Sequence, residues 1–157
     1  MFTMPTPPKS MYINRLDPDD VFSSVFPRPF ELDGYLWRSA EHYYQAMKYP
    51  SRPRFNDILN APDGLTARRL GEGRLKRKRS DWRAIRQTIM SRALYTQART
   101  HDDFAQALLE SAELPIVNQQ QYDYYWGTGR DLRGDNHYGK VLMRVRDKLR
   151  GERESDQ

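Results

Sequence analysis

The 157-residue chain has no cysteine. That excludes disulfides, thiolate nucleophiles and cysteine-ligated zinc. Its three histidines, His42, His101 and His137, are widely spaced along the chain, so no metal site is expected. No apolar run approaches the roughly 20 residues that span a bilayer. Residues 1–10 carry Pro5, Pro7 and Pro8 and lack the apolar stretch of a secretory signal. Neither membrane insertion nor export is expected, and a cytoplasmic protein is the default. Apolar residues make up only 38% of the chain, below the roughly 45–50% of an ordinary globular domain. Aromatics at 12% nevertheless argue against a disordered chain.

The net charge of +5 is local in origin. Residues 65–99 carry eleven basic side chains against Glu72 and Asp81, a local charge of +9 on a remainder of −4. Its densest part is Lys76-Arg77-Lys78-Arg79. Such a run suits an anionic partner, phosphate above all. It also suits a plain exposed loop before a helix.

The length fits one domain. Residues 1–11 read as a flexible leader, 12–150 as the domain and 151–157 as a charged tail. Asp33-Gly34 between apolar residues predicts a hairpin with strands at 30–32 and 35–37. Ser39 is placed to cap a helix running to about Lys48 and stopping before Pro50. Short helices are expected at 54–59 and 66–70. Trp82, Ile85, Ile89, Met90, Ala93 and Leu94 recur at helical spacing from Asp81 onward. A helix at 102–111, a short strand at 115–117, a glycine-rich loop at 123–134 and a last helix at 136–149 complete an α+β, helix-rich single domain with a few short strands.

Three constellations can carry chemistry. Glu41, Gln45 and Lys48 fall at i, i+4 and i+7, on one face of the expected helix. In a cleft, Glu41 could serve as acid or base and Lys48 as a nucleophile toward an aldehyde-like carbon. On the surface the same spacing is an ordinary solvated polar face. His42 beside them is read first as a packed histidine. Tyr122-Asp123-Tyr124-Tyr125-Trp126-Gly127 places aromatics where a nucleobase could stack, or where a loop needs pinning. The run from Gly134 to Gly139 opens the last helix, whose free amides could hold an anion.

Taken in order, these pieces resemble one family. Phe22–Phe30, Asp33-Gly34 and Ser39-x-Glu41-His42-Tyr43-Tyr44-Gln45-Ala46-x-Lys48 are similar to the opening of the NADAR (YbiA-like) family. Arg69-Leu70-Gly71, Asp81-Trp82, Arg86, Met90 and Ala93-Leu94 match its middle. Asp123-x-Tyr125-Trp126-Gly127-x-Gly129, Gly134-x-Asn136, Gly139 and Leu142-Met143-x-Val145-Arg146 match its end. The resemblance covers about residues 12–149. It implies a YbiA-like fold and an N-glycosidase that hydrolyses bonds between nitrogen and C1 of a ribose. The implied substrates are ribosylamino-pyrimidine phosphates of riboflavin synthesis or ADP-ribose attached to guanine, free or in nucleic acid. No cofactor is implied. It makes Glu41, Lys48 and Asp123 catalytic, and Trp82, Trp126, Gly127, Asn136, Arg69, His42 and Gln45 substrate-binding. Three positions depart from the pattern: Ser23-Ser24-Val25 for Ser-Asn-Phe, Gln97-Ala98 for Lys-Phe, and Asn118 for Glu. The last motivates an alternative, a catalytically impaired module that binds nucleotide, ADP-ribose or nucleic acid.

Overall fold

The computed structural model describes residues 9–73 and 77–156. Most of the expected leader, and Arg74 and Lys76 of the basic run, lie outside the described residues. Ten elements follow in order: β1 (Met11–Ile13), β2 (Phe30–Leu32), β3 (Tyr35–Trp37), α1 (Ala40–Ala46), α2 (Pro53–Leu59), α3 (Gly64–Gly71), α4 (Trp82–Thr100), α5 (Asp102–Glu110), β4 (Ile116–Asn118) and α6 (His137–Ser155). The α+β, helix-rich architecture matches the expectation.

Local chemistry explains most boundaries. Asp33 and Gly34 both take positive φ, 53° and 84°, as the tight turn between β2 and antiparallel β3 requires. Ser39 accepts a hydrogen bond from the His42 N–H and so caps α1. Asp63 does the same for α3 through Thr66, starting that helix at Gly64 rather than Thr66. Pro53 opens α2, where its missing N–H leaves nothing unpaired.

Helix α1 is the centre of the molecule. All seven of its residues are buried, and α2, α3, α4 and β3 pack around it. Its polar side chains are therefore not a solvated face. Helix α4 packs in turn on α5 and α6.

Two features differ from expectation. Met11, expected at the end of the leader, instead opens a strand at 11–13 that pairs in parallel with β4. Three-residue strands carry too little periodicity to register in the sequence. The last helix runs on to Ser155, so residues 151–155 belong to α6 rather than to a separate tail; nothing from Lys148 onward breaks a helix except Gly151, which stands in open space.

Candidate active site

Glu41 enters the structure from the first turn of α1 and is completely buried. Its Oε2 accepts from Arg15 Nη1 at 2.6 Å and from Ser24 Oγ at 2.6 Å. Its Oε1 accepts from Gln45 Nε2 at 2.7 Å, one turn along the helix. Burial alone would raise this carboxyl. The Arg15 guanidinium, with the Ser24 and Gln45 hydrogen bonds, instead holds it below the usual carboxylate range. Burial likewise works against the Arg15 charge, yet Glu41, Tyr44 and Asp123 together raise it.

Gln45 extends this pairing. The same Nε2 donates to Glu72 Oε1 at 3.2 Å, and Lys48 Nζ donates to that oxygen at 3.4 Å. Lys48 is only 4% exposed. It also reaches the Gly71 carbonyl at the C-terminus of α3, where the helix dipole favours a cation, and lies over the Tyr44 and Trp82 rings. Burial pushes its ammonium down; the Glu72 and Glu41 charges offset only part of that. Arg15, Glu41, Gln45, Glu72 and Lys48 thus form one continuous row.

A cavity opens at each end of the row. One, of about 250 Å³, is lined by Lys48, Tyr49, Gly71, Glu72, Gly73 and Lys78. The other, of about 440 Å³, is lined by residues including Arg68, Gln120, Tyr122 and Asp123. Asp123 Oδ2 stands 3.8 Å from Arg15 Nη2. Its Oδ1 accepts from the Tyr125 and Trp126 N–H groups and shapes the aromatic loop.

The expected site residues divide into two groups. Glu41, Gln45, Lys48 and Asp123 come together. Trp82 and Trp126 stand behind them, 3% and 4% exposed, on either side of Tyr44. They form a wall of the site, and the Trp126 Nε1–H donates to the Tyr44 hydroxyl. Tyr122, 87% exposed, stands open to solvent at the rim beside Asp123.

The others sit apart. His42 is buried on another side of α1. Its Nδ1 meets Ser39 Oγ at 2.7 Å and its Nε2 the Ala61 carbonyl at 3.0 Å, beside a groove walled by Pro18, Pro27, Pro29 and Pro62. Arg69 is exposed on α3; its neighbour Arg68 is the one at the cavity. Gly127 packs behind the site, where a side chain would press on the Asp123 and Asn118 backbones. Asn136 ties α6 to β4, accepting from the Asn118 N–H and donating to the Ile116 carbonyl.

The anion site expected at the start of α6 is not there. The N–H groups of Asp135, Asn136, His137 and Tyr138 donate to the carbonyls of Tyr124, Gly127, Tyr125 and Trp126. The glycine-rich loop folds back over the helix end and uses its donors.

Asn118 is fully buried and fully used. Its Oδ1 accepts from the Arg15 N–H, and its Nδ2 donates to Gln120 Oε1 and the Trp126 carbonyl. A carboxylate there has no proton for those two acceptors. Three participants escaped the sequence reading. Arg15 stands in an aspartate-rich turn with no pattern around it, Ser24 in a loop, and Glu72 inside the basic run. A carboxylate isolated among eleven cations was the signal available for Glu72.

Among the described residues, no group of His, Asp and Glu side chains could hold a metal ion. Ion pair, buried amine and flanking cavities gather carboxylates and a lysine in one place. The "NADAR domain" family model matches residues 1–150. "N-glycosidase YbiA" of Shigella flexneri is 32% identical over 128 residues, covering 82% of this chain and 80% of its own. "N-glycosidase Npun_R5314" of Nostoc punctiforme is 32% identical over 138 residues, covering 85% and 87%. The NMR structure of Escherichia coli YbiA superposes with a TM-score of 0.82 at 30% identity, over 92% of this chain and 88% of that one. The chain therefore belongs to the NADAR domain family.

Proposed function

We propose that the protein is an N-glycosidase that hydrolyses the bond between a nitrogen and C1 of a phosphorylated or ADP-ribosyl ribose. The observation that carries this is Lys48, a nearly fully buried amine with a depressed proton affinity, opening on a cavity beside a paired carboxylate. The relatives named N-glycosidases support the reaction type. A relative named "Riboflavin biosynthesis protein VVA0006" from Vibrio vulnificus is 30% identical over 85% of this chain and 37% of its own, and supports a ribosylamino-pyrimidine phosphate as one substrate class.

Breaking the N–C1 bond builds oxocarbenium charge on the ribose. Glu41 supplies fixed negative charge behind Lys48, Asp123 supplies it at the Arg15 end of the row, and Lys48 can take C1 as a Schiff base. Glu41, held ionised with both oxygens engaged, stabilises charge rather than donating a proton. Lys78 at the smaller cavity and Arg68 at the larger are the cations placed for phosphate. Tyr122 offers the open ring for a base.

The test is turnover of ribosylamino-pyrimidine 5′-phosphate and of an ADP-ribosylated guanine oligonucleotide, with borohydride added during reaction. Release of base, and an adduct on Lys48 that Lys48→Met abolishes, is the expected result. Turnover of neither substrate sinks the reading. Calorimetric binding of ADP-ribose without hydrolysis would favour the impaired-module alternative that Asn118 raises.

A further inference from the structure

We propose that Glu72 is the proton carrier of the site: it takes a proton from Lys48 and delivers it to the departing nitrogen. The inference rests on the N-glycosidase reading above and adds a catalytic residue to it.

A Schiff-base route needs a group that can both accept and give a proton beside the lysine. Glu41 is poorly suited. It is fully buried, its Oε2 is held by Arg15 and Ser24, and its Oε1 by Gln45. Asp123 Oδ1 is committed to two backbone N–H groups on the far side of Arg15. Glu72 differs in its access to the cavity, not in the hold on its charge: burial would raise its carboxyl, but Lys48 and the Gln45 hydrogen bond keep it below the usual carboxylate range in the resting site. Its side chain is 47% exposed and lines the cavity into which Lys48 opens. Its Oε1 already accepts from Lys48 Nζ. Its Oε2 has no hydrogen-bond partner among the described residues.

Position supports the same role. Glu72 ends α3 in an extended conformation, with Gly73 beyond it at φ 135°, a backbone region that side chains disfavour. Glu72 and Gly73 both line the cavity. Gln45 fixes it from below through a single hydrogen bond, so a shift toward bound substrate breaks little.

The step balances without an outside reagent. A proton on Lys48 Nζ moves to Glu72, leaving a neutral amine and a carboxylic acid. The amine forms a bond to C1 as the C1–N bond breaks, and the departing nitrogen takes the proton from Glu72. Ring opening moves a proton from the lysine nitrogen to the ring oxygen and gives the iminium. Water then releases the sugar aldehyde and restores the Lys48 ammonium, Glu72 having returned to the carboxylate when it gave up its proton.

The experiment compares wild type, Glu72→Gln, Glu72→Ala and Lys48→Met on both substrates named above, across pH. Glu72→Gln is expected to lower kcat about 100-fold or more, with KM changed less than about threefold and the acid limb of the kcat profile flattened. Formate should restore part of the Glu72→Ala rate. A Glu72→Gln enzyme within about threefold of wild-type kcat, or one whose loss lies wholly in KM, overturns the proposal while leaving the N-glycosidase reading intact. A wild type inactive on both substrates overturns the two together.

Discussion

Arg15 Nη1 and Glu41 Oε2 meet at 2.6 Å with 2% and 0% of their side chains exposed. Neither charge has water to fall back on. Removing one partner strands the other, at about 3–5 kcal/mol. Arg15→Met and Glu41→Leu should each lose about that much in urea denaturation. The double variant should recover much of it, because neither charge of the pair is left buried alone; the longer Arg15 contact with Asp123, at 3.8 Å, stays lost. Additive losses in the double variant would contradict the coupling.

The same pair sets an acid limit. The folded carboxyl of Glu41 lies below its unfolded value of about 4.3. Its contribution is therefore complete above that pH and is lost as pH falls through the folded value. His42 acts in the same direction at higher pH. Burial lowers its proton affinity despite the Ala61 hydrogen bond, so its contribution is complete above about 6.5 and declines below. Urea midpoints should fall in two stages on acidification, and the Arg15→Met, Glu41→Leu double variant should show a smaller lower stage, since the Asp63 and Glu72 carboxyls are held below their usual range as well.

Gly71 lies directly against Gln45. A Cβ there would collide with Gln45 Oε1 and stand 2.7 Å from the Gln45 Cβ. Alanine ordinarily favours a helix, but Gly71→Ala must push the amide away from Glu41 and Glu72. A loss of about 1–3 kcal/mol is expected, with reduced turnover. An unchanged melting temperature would mean that the Gln45 bridge yields freely.

Lys78 borders the same small cavity as Lys48 and is exposed. If it holds a substrate phosphate, Lys78→Glu should raise KM at least tenfold with little change in kcat. The effect should shrink at high salt and vanish for a substrate lacking that phosphate. An equal rise in KM for the dephosphorylated substrate would place the phosphate elsewhere.

Legibility varied with the range of the interaction. Asp33-Gly34 and the Ser39 cap fixed β2, β3 and the start of α1, because turn and cap chemistry acts within a few residues. The i, i+4, i+7 set of Glu41, Gln45 and Lys48 was visible for the same reason. That its face is buried was not, since burial depends on α2, α3 and α4 closing around it. Arg15 could not be read at all: its backbone partner, Asn118, is 103 residues away. Glu72 looked like a stray acid until α3 brought it to Lys48. Arg69 and Arg68 differ by one position on a helix, which turns the side chain by about 100°, beyond the resolution of motif reading.

The parallel pairing of β1 with β4 joins residues 11–13 to 116–118. During synthesis, the strand that sets Arg15 in place waits unpaired until residues 116–118 have been made. Closing so large a loop is slow. The acidic centre of the site, Glu41, consequently lacks its counter-charge throughout that interval. Helix α1 can gather α2, α3 and α4 early, but the molecule becomes competent only when β1 and β4 find each other. Activity should therefore be the last property regained on refolding, after helix content has returned.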